Sequence, residues 1–304
     1  MSEKYAVVIG AINVDIWGRS FGGLIERDSN PGEIKYSFGG VGRNIAHNMC
    51  LLGMKVEMLT AIADDLWAQQ IEQHCRDVGI GLERAIRVRG GRTSSYVYIT
   101  GPEGEMELAV CDADIAKYIT PEVIRDNMDI LSGAELVVFD GNLTEETIAY
   151  LTENCRVPLF ADPVSVTKAR KLRPFLHRIH TIKPNALEAA ELTGISNPAG
   201  AAEELVLMGV KRAFVSDGAA GIYAAHGLDS YHIPCCGGEL VNVTGGGDAV
   251  MAALCRSFSD GRDIISSARY ALAAGAVAVG CEETISPEMS DENIRKIMDK
   301  RPIY

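Results

Sequence analysis

Four short stretches of the chain, residues 5–9, 136–139, 158–161 and 213–215, are apolar at nearly every position instead of every second one. A run of that length is too short for a helix, and a strand without alternation must be covered on both faces, which is the situation of a strand inside a parallel sheet. Between the runs lie helix-like segments near 145–154, 168–177, 186–192 and 201–208. Earlier, Ile45, Met49 and Leu52 recur at helical spacing from Asn44 onward, Gly53 is a helix stop, and Val56, Met58 and Thr60 then alternate like a strand. Strand, helix and strand in series predict an α/β fold of three layers, a mostly parallel central sheet with helices on both faces. Ligands of such sheets bind in the loops beyond the carboxyl ends of the strands.

Two stretches leave this rhythm, about 16–38 and 87–111. In the second, TSSYVYIT, GPEGE and MELAV read as a hairpin with its turn at 101–104. They predict strands outside the main sheet, forming a small β lid on a single domain spanning 1–304. Twenty-nine basic against 41 acidic residues leave a net charge of −12, with no acidic tail. That excludes nucleic-acid or anionic-membrane binding through a broad basic face, while a small anion could still be held by backbone amides. The eight cysteines show neither C-x-x-C nor zinc spacing, and the first residues lack the layout of a signal peptide, so a cytoplasmic protein with reduced thiols is expected.

The chemistry concentrates in glycine-rich loops. VNVTGGGDAV (241–250) places Gly245, Gly246 and Gly247 directly before a helical stripe of Val250, Met251, Leu254, Cys255 and Phe258 that stops at Gly261. Amides at a helix N-terminus attract a phosphate, and glycine lets it approach the backbone. Asp248 beside such an anion hole makes sense as a base that takes a proton from an attacking hydroxyl; as a plain helix cap it needs no function. SFGGVGRN (37–44) is neither G-x-G-x-x-G nor a P-loop, so the dinucleotide and classical nucleotide fingerprints are missing. Taken with Asn13 and Asp15 in GAINVDI, it outlines a polar pocket for a polyhydroxyl ligand. In IKPNALEAAEL (182–192), Asn185 and Glu188 could hold Mg²⁺ through its waters or simply form a capping box. SDGAAG (216–221) could touch nucleotide or be a bare turn. The histidines offer no metal constellation.

These motifs in this order resemble the ribokinase-like, or PfkB-type, family of sugar and nucleoside kinases over essentially the whole chain. GGVGRNIAHNMCLLG resembles its N-terminal signature and NVTGGGDAV its C-terminal one. SNPGEIKYSFGGVGRN, RTSSYVYI, ADPVSVTK and IHTIKPNALEAAEL are most similar to the branch that phosphorylates the 5′-hydroxyl of pseudouridine. The resemblance implies ATP and Mg²⁺ as cofactors and a small nucleoside or sugar as acceptor, with a kinase of another nucleoside, ribose or fructose, or a silent sensor, as alternatives. It implies Asp248 as base, Gly245, Gly246 and Gly247 as anion hole, and Asn13, Asp15, Gly40, Gly42 and Asn44 at the ribose. Ser95, Tyr96, Asn142 and Lys168 would surround the nucleobase. Asn185, Ser216, Gly218 and Gly221 would bind nucleotide, with Glu188 and Asn185 serving the metal. Members often dimerise through the lid. Two departures stand out: Gly246 replaces an alanine, which should loosen the loop, and Asn242 replaces an acidic residue near a monovalent-cation site, which leaves K⁺ open.

Overall fold

The computed structural model describes residues 4–103, 105–237 and 240–300. Its main sheet runs, edge to edge, Asp229–Ile233, Ile222–His226, Arg212–Ser216, Thr181–Ile182, Leu159–Asp162, Leu136–Asp140, Ala6–Ile9, Val56–Leu59, Ile80–Gly81. All neighbours are parallel except the two pairs made by Ile222–His226. The apolar runs have the two-sided burial expected of them. Ala6 and Val8 enter one apolar cluster, with residues of the helices Val41–Leu51, Gly246–Ser259 and Ile264–Val279. Val7 and Ile9 enter the other, with residues of Glu145–Asn154, Ala186–Thr193 and Pro198–Leu207. Each fully buried Val or Ile contributes roughly 1.5–3 kcal/mol, so a change to a polar residue here is felt in the layer that its side chain faces.

Two segments differ from the sequence reading. Residues 168–177 do not form one α-helix: a short turn of helix, Val166–Ala169, passes into a 3₁₀ run, Arg170–Arg178, that contains Pro174. Proline lacks the amide that an α-helix needs there, and its ring opposes the carbonyl four residues back. The strand at 56–60 ends at Leu59, and Ala61–Ala63 pairs instead with Ile86–Val88 in a separate two-stranded ladder.

That ladder removes residues 87 and 88 from the smaller sheet. The latter comprises Gly32–Gly39, Asn13–Ser20, Ser95–Thr100 and Met106–Asp112 in that spatial order. Its strand Asn13–Ser20 follows almost directly from the carboxyl end of Ala6–Ile9, so the small sheet is anchored at the sheet centre. Of the turn at 101–104, Gly104 lies outside the described residues. Among the described residues no helix is long and apolar enough to cross a membrane.

Candidate active site

The glycine turn closes onto helix Gly246–Ser259 as the sequence pattern predicts. Gly245 is the N-cap at φ 80°, and a β-carbon there would run into the Thr284 carbonyl. No other residue suits both that left-handed backbone and that contact. At Gly246 a β-carbon would lie 2.9 Å from Val279 Cγ1. The space of the expected alanine methyl is therefore already taken, and the loop is packed rather than loosened. The first-turn amides have no carbonyl within the helix to bond to and face the loop.

Asp248 is the third residue of this helix and is half-buried. Asn44 Nδ2 donates to its Oδ2 at 2.8 Å, joining the two glycine-rich motifs across 204 residues of sequence. Burial, reinforced by the Asp162 carboxylate, pushes the Asp248 carboxyl up to about 7, against the pull of Asn44 and Lys183. A carboxyl so poised is ionised in part near neutrality and can receive a proton. Asn44 Oδ1 is buried and has no hydrogen-bond partner.

Three charged residues that the sequence reading passed over stand at neighbouring strand ends. Asp140 is buried; its Oδ2 accepts from Ala11 N at 3.0 Å and Gly42 N at 3.1 Å, and its Oδ1 from Asn142 N at 2.9 Å. One carboxylate thus ties together the loop after Ala6–Ile9, the start of helix Val41–Leu51, which has no side-chain cap of its own, and the loop carrying Asn142. Asp162 accepts from Val164 N at 2.8 Å through Oδ1 and meets Lys183 Nζ at 3.3 Å through Oδ2. Lys183 lies beside the glycine turn: a β-carbon on Gly247 would come within 3.2 Å of its Nζ. Burial opposes its charge, but Asp162, Glu188 and Asp248 outweigh that and hold the ammonium above its ordinary range. The turn is therefore not a bare backbone cradle.

Among the residues that the resemblance assigns to the ribose, Gly42 packs on Gly10: a β-carbon at Gly42 would be 2.9 Å from Gly10 Cα. Asp15 lies against Gly39, and burial pushes its carboxyl to about 6 while Arg43 pulls it down. Arg43, 3% exposed, couples electrostatically to Asp15 and Asp248 alike. Register brings Asp15 opposite Tyr96 and Trp17 opposite Tyr98, so these four share one face of the small sheet with Asn13. Tyr96 and Tyr98 rings stand 5.4 Å apart, and Lys35 Nζ sits 5.2 Å over Trp17. Ser95 pairs with Val14 on the opposite face and donates to Thr93 O. It does not join the group; its neighbour Ser94 does, donating to Asn13 Oδ1 at 2.8 Å. A reading off by one residue inverts the face in a strand.

Asn142 and Lys168 meet, with Lys168 Nζ donating to Asn142 Oδ1 at 2.5 Å. Among the residues that the resemblance assigns to the nucleotide, the capping box is realised: Asn185 Oδ1 accepts from Glu188 N and Glu188 Oε2 from Asn185 N, both at 2.9 Å. A bridge between Asn185 and Ser216 puts their loops side by side. Gly218 lies in the turn after Ser216, whereas Gly221 is buried at φ 106°, where a β-carbon would strike Ile233 O. Packing alone accounts for that glycine. Among the described residues no three His, Cys, Asp or Glu side chains converge on a metal position. The capping box engages only Oε2 of Glu188, so Oε1 fits a cation brought in by phosphates, which Mg²⁺ sites commonly use with one or two carboxylates.

Comparison with known proteins agrees with this geometry. The model of the pfkB family of carbohydrate kinases matches residues 3–291. The chain is 37% identical to a pseudouridine kinase of Escherichia coli over 98% of both chains. It is 33% identical to the uncharacterized sugar kinase YeiI of the same organism, over 96% of this chain and 82% of that one. A ribokinase from Thermotoga maritima superposes with a TM-score of 0.87 over 97% of this chain and 99% of that one, at 19% identity, and shares the three-layer fold. The chain belongs to the pfkB family of carbohydrate kinases and is a phosphotransferase with an alcohol group as acceptor.

Proposed function

We propose that the chain transfers the terminal phosphoryl group of ATP to the 5′-hydroxyl of pseudouridine. The observation that carries a nucleoside acceptor is the inner face of the small sheet, where Asn13 and Asp15 continue into Trp17, Tyr96 and Tyr98. Carboxylate and amide suit paired ribose hydroxyls, and the aromatic rings beside them suit a base, which gains about 1–3 kcal/mol from such stacking. Pseudouridine among nucleosides is supported by the 37% identity to the Escherichia coli enzyme.

Asn44 holds the Asp248 carboxylate toward the acceptor hydroxyl, and its own unpartnered Oδ1 is available to a ligand donor. Asp248 takes the hydroxyl proton as the oxygen attacks phosphorus, while the Gly246 and Gly247 amides receive the equatorial oxygens. Asn142 and Lys168 present a polar pair to the base edge. The small sheet acts as a lid that excludes water. Mg²⁺, held by Glu188 and through water by Asn185, would neutralise phosphate charge; Ser216 and Gly218 border the nucleotide. Asn242 commits both ends of its amide, to Glu282 O and Thr244 N, and brings no charge to a K⁺ site. The outer face of the lid, with Ile34, Leu108 and Val110 each more than 60% exposed, pairs with a second copy of the chain.

A sugar kinase is the second reading, favoured by the 33% identity to YeiI. Phosphorylation of pseudouridine, uridine, adenosine, ribose and fructose with ATP, compared by kcat/KM, decides. Highest turnover of pseudouridine is expected, and preference for a free sugar overturns the nucleoside reading.

A further inference from the structure

Lys183 is an odd residue to bury for stability alone. It stands at the carboxyl end of Thr181–Ile182, and its ion pair with Asp162 leaves both side chains only 6% exposed. Replacing a buried ion pair by apolar residues is often neutral or stabilising, so the pair needs another reason to exist. Its length of 3.3 Å exceeds the 2.7–2.9 Å typical of a tight ammonium–carboxylate hydrogen bond. Asp162 thus keeps the ammonium in place without fully engaging it. The carboxylates that act on it are Asp162, Glu188 and Asp248, three acids around one cation. Such a surplus of negative charge would repel an incoming phosphate unless the cation faced it. On the side of the glycine turn nothing intervenes, because Gly247 has no side chain and a methyl there would sit 3.2 Å from Nζ.

We propose that Lys183 is a catalytic residue that binds the phosphoryl group in transit, sharing with the Gly246 and Gly247 amides the charge that develops beside Gly247. The inference rests on the chain being a kinase and not on which acceptor it uses. In the step, the bond from phosphorus to the leaving oxygen of ADP breaks and a bond to the acceptor oxygen forms. The acceptor proton passes to Asp248, and Lys183 keeps its proton throughout, turning from Asp162 toward a phosphoryl oxygen. Gly247 is then required to be glycine by the lysine as much as by the phosphate.

The competing role is that Lys183 merely neutralises Asp162. Asp162→Asn, Lys183→Met and the double variant separate the two, since the double variant removes the Asp162–Lys183 ion pair as a whole and leaves neither partner without the other. Thermal unfolding, ADP affinity by calorimetry and kcat with the acceptor that the wild type turns over fastest are measured for each. ADP affinity needs no acceptor, so failure of pseudouridine as a substrate would leave this test intact. In the double variant, a melting temperature close to wild type, ADP affinity within about threefold and kcat lower by about 100-fold or more are expected, the loss typical of one removed oxyanion contact. Asp162→Asn alone should keep kcat within about tenfold. A double variant with kcat within about fivefold of wild type overturns the proposal, as does an Asp162→Asn enzyme as impaired as the double. Should the Met variants fail to fold, Lys183→Gln, which can still donate to Asp162 but carries no charge, is read by the same criteria.

Discussion

Replacing Asp248 by Asn separates what the site costs the fold from what it gives the reaction. The carboxyl titrates at about 7 against an ordinary 3.8, a gap equivalent to about 4 kcal/mol against the ionised form. The unfolded chain ionises this group near 3.8, whereas the folded chain holds its proton until about 7. The penalty is therefore absent at low pH, accumulates as pH rises between those values and is complete above 7. Solvent at the half-buried position screens part of it, leaving about 1–3 kcal/mol. An amide avoids the penalty, and its Nδ2 can donate to the buried Asn44 Oδ1, which has no partner. Asp248→Asn is thus expected to be more stable than wild type by about 1–3 kcal/mol near pH 8, and by much less near pH 4, in urea unfolding. Its turnover falls by about 10² to 10⁴. Wild-type kcat/KM falls about tenfold per pH unit below 7, where the base is protonated. A stability gain independent of pH, or a wild-type profile flat from about pH 5.5 to 8.5, refutes the reasoning.

The contact between Gly246 and Val279 predicts that Gly246→Ala destabilises by about 1–3 kcal/mol and that Val279→Ala relieves this, giving a clear coupling energy in a denaturation cycle. Ser94→Ala should raise the acceptor KM severalfold by releasing Asn13, while Ser95→Ala, on the far face, should leave kcat/KM within about twofold. Trp17→Ala should raise the KM for a nucleoside about tenfold or more and leave that for ATP unchanged. Leu108→Lys on the exposed lid face should shift a dimer to monomer in light scattering.

The strands of the central sheet were legible because a residue series such as Ala6–Ile9 must satisfy two apolar faces at once, and only a covered sheet does that. The Gly245–Asp248 turn was legible for a similar reason: few folds tolerate three glycines before an amphipathic helix. Two kinds of feature escaped. Phase within a strand did, since Ser94 and Ser95 differ only in which face they take, and the sequence does not say which face meets the ligand. So did charged residues that end apolar runs. Phe139-Asp140-Gly141, Ala161-Asp162-Pro163 and Ile182-Lys183-Pro184 each put one charge between a buried strand and a turn residue. Read as strand terminators they are unremarkable, yet their repetition at consecutive parallel strands places them along one edge, which is the signal that could have found them. The Asn185–Glu188 pair shows the reverse: spacing allowed two roles, and the capping geometry engages four of its atoms without using Glu188 Oε1.

Asp140 gives the fold a division of labour. Because two loops and the start of helix Val41–Leu51 hang on this one carboxylate, the end of the cleft proposed for phosphoryl transfer has a fixed frame that owes nothing to the identity of the acceptor. The strands carrying Trp17, Tyr96 and Tyr98 lie outside that frame. New acceptors can accordingly be explored by exchanging side chains on the small sheet, without re-inventing the machinery of transfer.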